Sequence, residues 1–72
     1  MSWHYAAKKL IIQGEEQYIL VEAYPSLKEE GDTIVPHTAE PAVIYASSKE
    51  DLAKWLRLAA DDVDRFEVIE DE

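Results

Sequence analysis

The chain has no cysteine among its 72 residues, which rules out both a disulfide framework and a thiolate metal site. Its two histidines, His4 and His37, show no ligand spacing, so no metal and no cofactor is expected. No stretch approaches the ~20 apolar residues that span a bilayer, and the first residues lack the ordered charge, apolar core and cleavage site of a signal peptide. A cytoplasmic protein without membrane contact is the expectation. Basic residues are scarce: seven Lys and Arg face sixteen Asp and Glu, for a net charge of −9. A surface of that sign repels nucleic acid and anionic lipid, so direct binding to either is not expected. A chain this short buries only about 60% of its unfolded surface. Without disulfide or metal, oligomerisation is the remaining device, so one domain over residues 1–72 and a homodimer are expected.

The acidity is uneven. Residues 1–46 carry a net −4, residues 47–60 a net +1 and residues 61–72 a net −6. The excess therefore concentrates in a tail over about residues 64–72, whose ordinary role is solubilising.

Two β-rich runs, Trp3 to Ile12 and Gln17 to Tyr24, flank Gln13-Gly14-Glu15-Glu16 and read as a hairpin. Alternation puts Trp3, Tyr5, Ala7 and Ile11 on one face with Ala6, Leu10 and Ile12 on the other, and both parities of the second strand are apolar too. Such a hairpin needs a cover on each side. Thr33-Ile34-Val35 reads as a short third strand stopped by Pro36. Residues 42–46 are extended, either a fourth strand or a crossing segment. Ser47-Ser48-Lys49-Glu50 matches a capping box opening a helix. Leu52, Trp55, Leu56, Ala59 and Val63 then recur at three and four and form the expected core stripe. Asp61, Asp62 and Asp64 oppose the dipole at a helix C-terminus, so the helix should stop near Asp62. Phe66, Val68 and Ile69 form a last short strand or cover the helix end. The fold class is α+β: an antiparallel sheet of three strands, or four, with one C-terminal amphipathic helix packed on one face.

Trp3-His4-Tyr5, Gln17 to Tyr24, Thr38-Ala39-Glu40-Pro41 and Ser48-Lys49-Glu50-Asp51-Leu52 together resemble a family of small bacterial and phage proteins of unknown function. That family reads W-x-Y, Y-x-I-x-E-x-Y, T-E-x-P and S-x-E-E-L in order. The resemblance covers about residues 3–63; here one residue is inserted between Thr38 and Glu40, and the loop at 25–32 is longer. The βββα order is similar to the partner-binding half of HicB-type antitoxins. This resemblance implies a partner-binding fold rather than an enzyme.

Several chemistries can be weighed on the residues. Trp3, Tyr5, Tyr18 and Tyr24 could stack on bases, but only Lys8 and Lys9 are near, so they are expected in a core or an interface. His4 and His37 could exchange protons, yet no nucleophile motif accompanies them. Glu15-Glu16, Glu29-Glu30-Asp32 and Asp61-Asp62-Asp64 lack the spaced glycine loop of a calcium site. The leading reading is a non-enzymatic protein-binding module, a regulator or inhibitor that occupies a partner protein. Its expected interface is Trp3, Tyr5, Tyr18, Leu20 and Tyr24, a surplus apolar face. The alternative is a DNA-mimic inhibitor of a nucleic-acid-binding or defence protein. It would present Glu29, Glu30, Asp32, Asp61, Asp62, Asp64, Glu67 and Glu70 to a basic cleft. A small hydrolase is the remote third.

Overall fold

Gln13 and Gly14 turn the chain with φ of 51° and 81°, and two successive positive φ values match the right-handed twist of the strands they join. In the computed structural model, which describes residues 2–70, they connect β1 (His4–Ile12) to β2 (Glu15–Ala23). The turn is thus two residues long, and Glu15 and Glu16, expected in the connection, already belong to β2. Pairing is antiparallel, with Ala6 opposite Val21 and Tyr5 opposite Glu22. Side chains opposite one another share a face, so Ala6, Lys8, Ile19, Val21 and Ala23 stand on one side of the sheet. Tyr5, Ala7, Lys9, Tyr18, Leu20 and Glu22 stand on the other.

The third strand differs from expectation. Thr33-Ile34-Val35 forms no strand; β3 is Ile69–Glu70, and it runs parallel to β1 with Lys8 opposite Ile69. The sheet is therefore mixed, in the order β2-β1-β3, rather than antiparallel throughout. Thr33 to Val35 is displaced because the chain beyond it is anchored to the free edge of β2 in an irregular way. Tyr24 N–H donates to Pro36 O (2.8 Å), Thr38 N–H to Glu22 O (2.9 Å) and Ala42 N–H to Leu20 O (2.7 Å). Glu22 N–H goes to the Thr38 hydroxyl at 3.1 Å. Pro36 and Pro41 have no N–H to give, so this segment covers the edge without becoming a regular strand, apart from one bridge between Ala23 and His37. Residues 42–46 are likewise not a strand.

The helix α1 spans Lys49–Arg65. Its N-cap is Ser48, whose Oγ accepts from Asp51 N–H at 3.1 Å, one residue later than a Ser47–Glu50 box would place it. It also passes Asp62 by a turn. The Asp62 carboxylate, which the helix dipole disfavours, accepts the main-chain N–H of Tyr5 at 3.0 Å, and Phe66 N–H closes on Asp62 O at 2.9 Å.

The best-buried cluster lies on the Ala6 face: Ala6, Val21, Ala23 and Ile69, with Ile19, Ile34 and Val35 packed against it. Small side chains at positions 6 and 23 let the covering segments approach closely, and Ile69 fills the space. Mutual repulsion among the acids flanking Ile69 would oppose such docking. Lys9 removes the obstacle, because its ammonium lies 2.9 Å from Glu70 and 3.0 Å from Glu16. The last two residues of the expected tail, Asp71 and Glu72, lie outside the described residues. Among the described residues no helix is long and apolar enough to cross a membrane.

Candidate functional site

The Tyr5 face carries the aromatic residues, and its parity explains why. Trp3, just before β1, and Tyr5 on it are two residues apart and meet edge to face, centroids 5.1 Å apart at 84°. Glu22 faces Tyr5 from β2, and Tyr24, two residues on, donates its hydroxyl to Glu22 Oε1 at 2.5 Å. Two other segments bring further apolar groups to this end of the sheet. Val43, Ile44 and Tyr45 come from the crossing chain and Trp55 from α1, and together with Trp3, Tyr5 and Glu22 they line a shallow recess of about 250 Å³. Tyr45 is 84% exposed, Trp3 42% and Trp55 40%. Glu22 is half-buried, and the ion pairs among the described residues, Lys9 with Glu16 and with Glu70, do not involve it.

The expected interface residues thus fall in different settings. Trp3 and Tyr18 are exposed and Leu20 and Tyr24 half-buried, whereas Tyr5 is buried by its own chain. Tyr18 stands with Ile11 on the Tyr5 face near the hairpin turn, where Ile12 on the other face is exposed too. The expected core stripe also divides. Ala59 is buried and Val63 half-buried, but Leu52, Trp55 and Leu56 are exposed. Helical spacing alone could not show that the later part of the helix is tied to β1, where Asp62 reaches Tyr5. Val43, Tyr45 and Glu22 were not singled out from the sequence. The apolar run Ala42 to Tyr45 behind Pro41 was the available signal for the first two.

The acidic positions do not act alike. Asp32 Oδ2 accepts from Glu29 N–H at 2.9 Å within an exposed turn, Asp62 holds Tyr5, and Glu70 pairs with Lys9. Glu29, Glu30, Asp61, Asp64 and Glu67 are exposed. The histidines are tied locally: His4 Nδ1 lies 2.8 Å from Tyr5 O and His37 Nδ1 2.8 Å from Val35 O. Since a carbonyl only accepts, each Nδ1 carries the proton. The His4 ring stacks on Phe66, centroids 3.6 Å apart.

Three groups hold their protons unusually firmly. Burial, then the charges of Glu22 and Asp62, raises the Tyr5 phenol. The hydrogen bond to Glu22 raises that of Tyr24, and the hydrogen bonds to Glu70 and then Glu16 raise Lys9. A group whose folded pKa is raised contributes stability that is complete below its unfolded value and is lost as pH rises through the folded one. The ordinary values are 10.0 for tyrosine and 10.5 for lysine. Urea unfolding should therefore show stability that is flat up to about pH 10 and falls as the pH rises above it, less steeply in Tyr24→Phe. A stability that rose over that range would contradict these assignments. Comparison of the chain with protein-family models, with curated proteins and with solved structures returned no match.

Proposed function

We propose that this chain is a non-enzymatic, cytoplasmic protein-binding module that acts by occupying another protein, and that it pairs with a second copy of itself. The observation that carries the reading is the apolar surface the folded chain leaves uncovered. Trp3, Val43, Tyr45, Leu52, Trp55 and Leu56 are exposed at the helix end of the molecule, and Ile11, Ile12 and Tyr18 at the hairpin end. At about 25 cal/mol per Å², so many wet side chains forfeit several kcal/mol, comparable with the whole stability of a small domain. On this reading α1 lies over the Tyr5 face through Ala59 and Val63, and its first two turns overhang.

The two apolar ends suit two uses: the hairpin end meets the second copy, and the aromatic end takes the partner. The element order β1-β2-α1-β3 departs from the βββα order on which the resemblance to the partner-binding half of HicB-type antitoxins rests, so that resemblance adds no support. Use of the acidic surface as a DNA mimic is less well supported, because Asp32, Asp62 and Glu70 already serve internal partners.

Sedimentation at tens of micromolar tests the pairing. The wild type should run at twice 8.2 kDa, and Tyr18→Asp should give a monomer with unchanged circular dichroism. A monomeric wild type would overturn self-association. A variant that stays dimeric would move the contact away from the hairpin end.

A further inference from the structure

The recess at the aromatic end has an unusual composition for a protein-binding surface. Trp3, Tyr5, Tyr45 and Trp55 line it together with one charged residue, Glu22. Glu22 is half-buried as a residue, one of its carboxylate oxygens is engaged by the Tyr24 hydroxyl, and the ion pairs among the described residues, Lys9 with Glu16 and with Glu70, do not involve it. A partly desolvated carboxylate is stabilised by a positive charge placed against its free oxygen. Aromatic faces add to this, since their negative quadrupoles attract cations, most strongly at Trp. The net charge of −9 raises the local concentration of any basic group approaching the surface.

We propose that this recess binds the guanidinium of an arginine from the partner protein, with Glu22 as counter-ion and the two tryptophans and Tyr45 as the stacking walls. Arginine fits better than lysine for a physical reason. Its planar, weakly hydrated cation stacks on rings and gives up solvent readily, whereas the compact ammonium of lysine holds its water. A recess of about 250 Å³ accommodates the head of that side chain while its methylene stem lies along Val43. The assignment rests on the reading of the chain as a protein-binding module, and it names the chemistry that the partner must present.

The chain reports on its own site, because it contains two tryptophans and both line the recess. Nα-acetyl-arginine amide titrated into the full chain should change tryptophan emission saturably in the millimolar range. Nα-acetyl-citrulline amide, the neutral isostere, should bind about tenfold more weakly, and the lysine analogue should fall between them. Glu22→Gln should weaken the arginine probe about tenfold. Tyr45→Ala, at a position too exposed to matter for folding, should weaken it several-fold. Glu30→Gln, which removes an exposed acid elsewhere, should leave the titration unchanged.

Equal binding of citrulline would show an apolar recess and overturn the proposal. Equal loss in Glu22→Gln and Glu30→Gln would reduce it to general acidity and overturn it as well. Lysine binding as tight as arginine would overturn the guanidinium assignment. The outcome is separable from the self-association test: arginine discrimination in a monomeric chain would leave this site standing, and its absence in a dimer would leave the pairing standing.

Discussion

Ile69→Ala is expected to lower the unfolding free energy by about 2–4 kcal/mol and to leave the chain only marginally stable at ambient temperature. Ile69 is 8% exposed, and its neighbours Ala6, Val21 and Ala23 are fully buried. Two of those neighbours are alanines, which have no rotamer freedom with which to fill a hole, so the space left by the truncated side chain stays open. The loss also releases β3. That strand is two residues long, and among the described residues it is otherwise held by its parallel ladder with β1 and by the Lys9–Glu70 ion pair, an exposed contact worth about 0–1 kcal/mol. A domain of this size starts with a small margin, and the variant uses most of it. Urea unfolding followed by circular dichroism is the measurement. Ile12→Ala, at a position 51% exposed, should cost under about 1 kcal/mol. If the two variants are equally destabilised, the Ala6 face is not the principal core.

Asp62→Ala offers a test in which the sign of the effect decides. A carboxylate in the last turn of a helix faces the negative end of the dipole, so removing an idle one would stabilise the protein by about 0.3–1 kcal/mol. Asp62 is not idle: its Oδ2 accepts the Tyr5 N–H at 3.0 Å, and β3 pairs with β1 only at Lys8 and Lys9, too far along to take that donor instead. Removing the acceptor leaves a part-buried N–H without its partner, at a cost of about 1–3 kcal/mol. Asp62→Ala should therefore destabilise, and Asp62→Asn, which retains an acceptor oxygen, should recover most of the loss. Asp61→Ala, on the exposed side of the same turn, should be neutral or slightly stabilising. A stabilised Asp62→Ala would mean that the contact to Tyr5 contributes nothing in solution.

Both variants probe places where local and non-local forces disagree. The acids after Ala60 predict a helix ending near Asp62, because the dipole acts within one turn and can be read from neighbouring residues. The helix continues to Arg65 because one of those acids finds a donor 57 residues away in the chain. Ser47 and Ser48 are each followed at three residues by an acid, Glu50 and Asp51, so two capping registers compete on nearly equal terms. The structure takes Ser48.

The candidate site was legible in part. Alternation along β1 and β2 placed Trp3 and Tyr5 on the same face correctly, because the strand period is a local property of the backbone. The same local rule places Glu22 opposite Tyr5 once the two-residue turn fixes the register. Val43, Tyr45 and Trp55 join them only through the crossing segment and the helix. No periodicity within one element contains that information.

The sequence by itself determined the hairpin, the amphipathic helix, the α+β class and the acidic surface, since propensity, turn chemistry, capping and charge act over a few residues. Tertiary structure alone decided that Ile69 rather than Thr33–Val35 completes the sheet, and that it does so in parallel. It also decided that Lys9 pairs with Glu70 of the acidic tail, and that Leu52, Trp55 and Leu56, three of the five stripe residues, stay exposed. These outcomes depend on which distant segment best fills the space above Ala6 and Ala23 and satisfies the free edges of β1 and β2. That competition is settled by packing volume and unpaired backbone groups, quantities that exist only once the chain has folded.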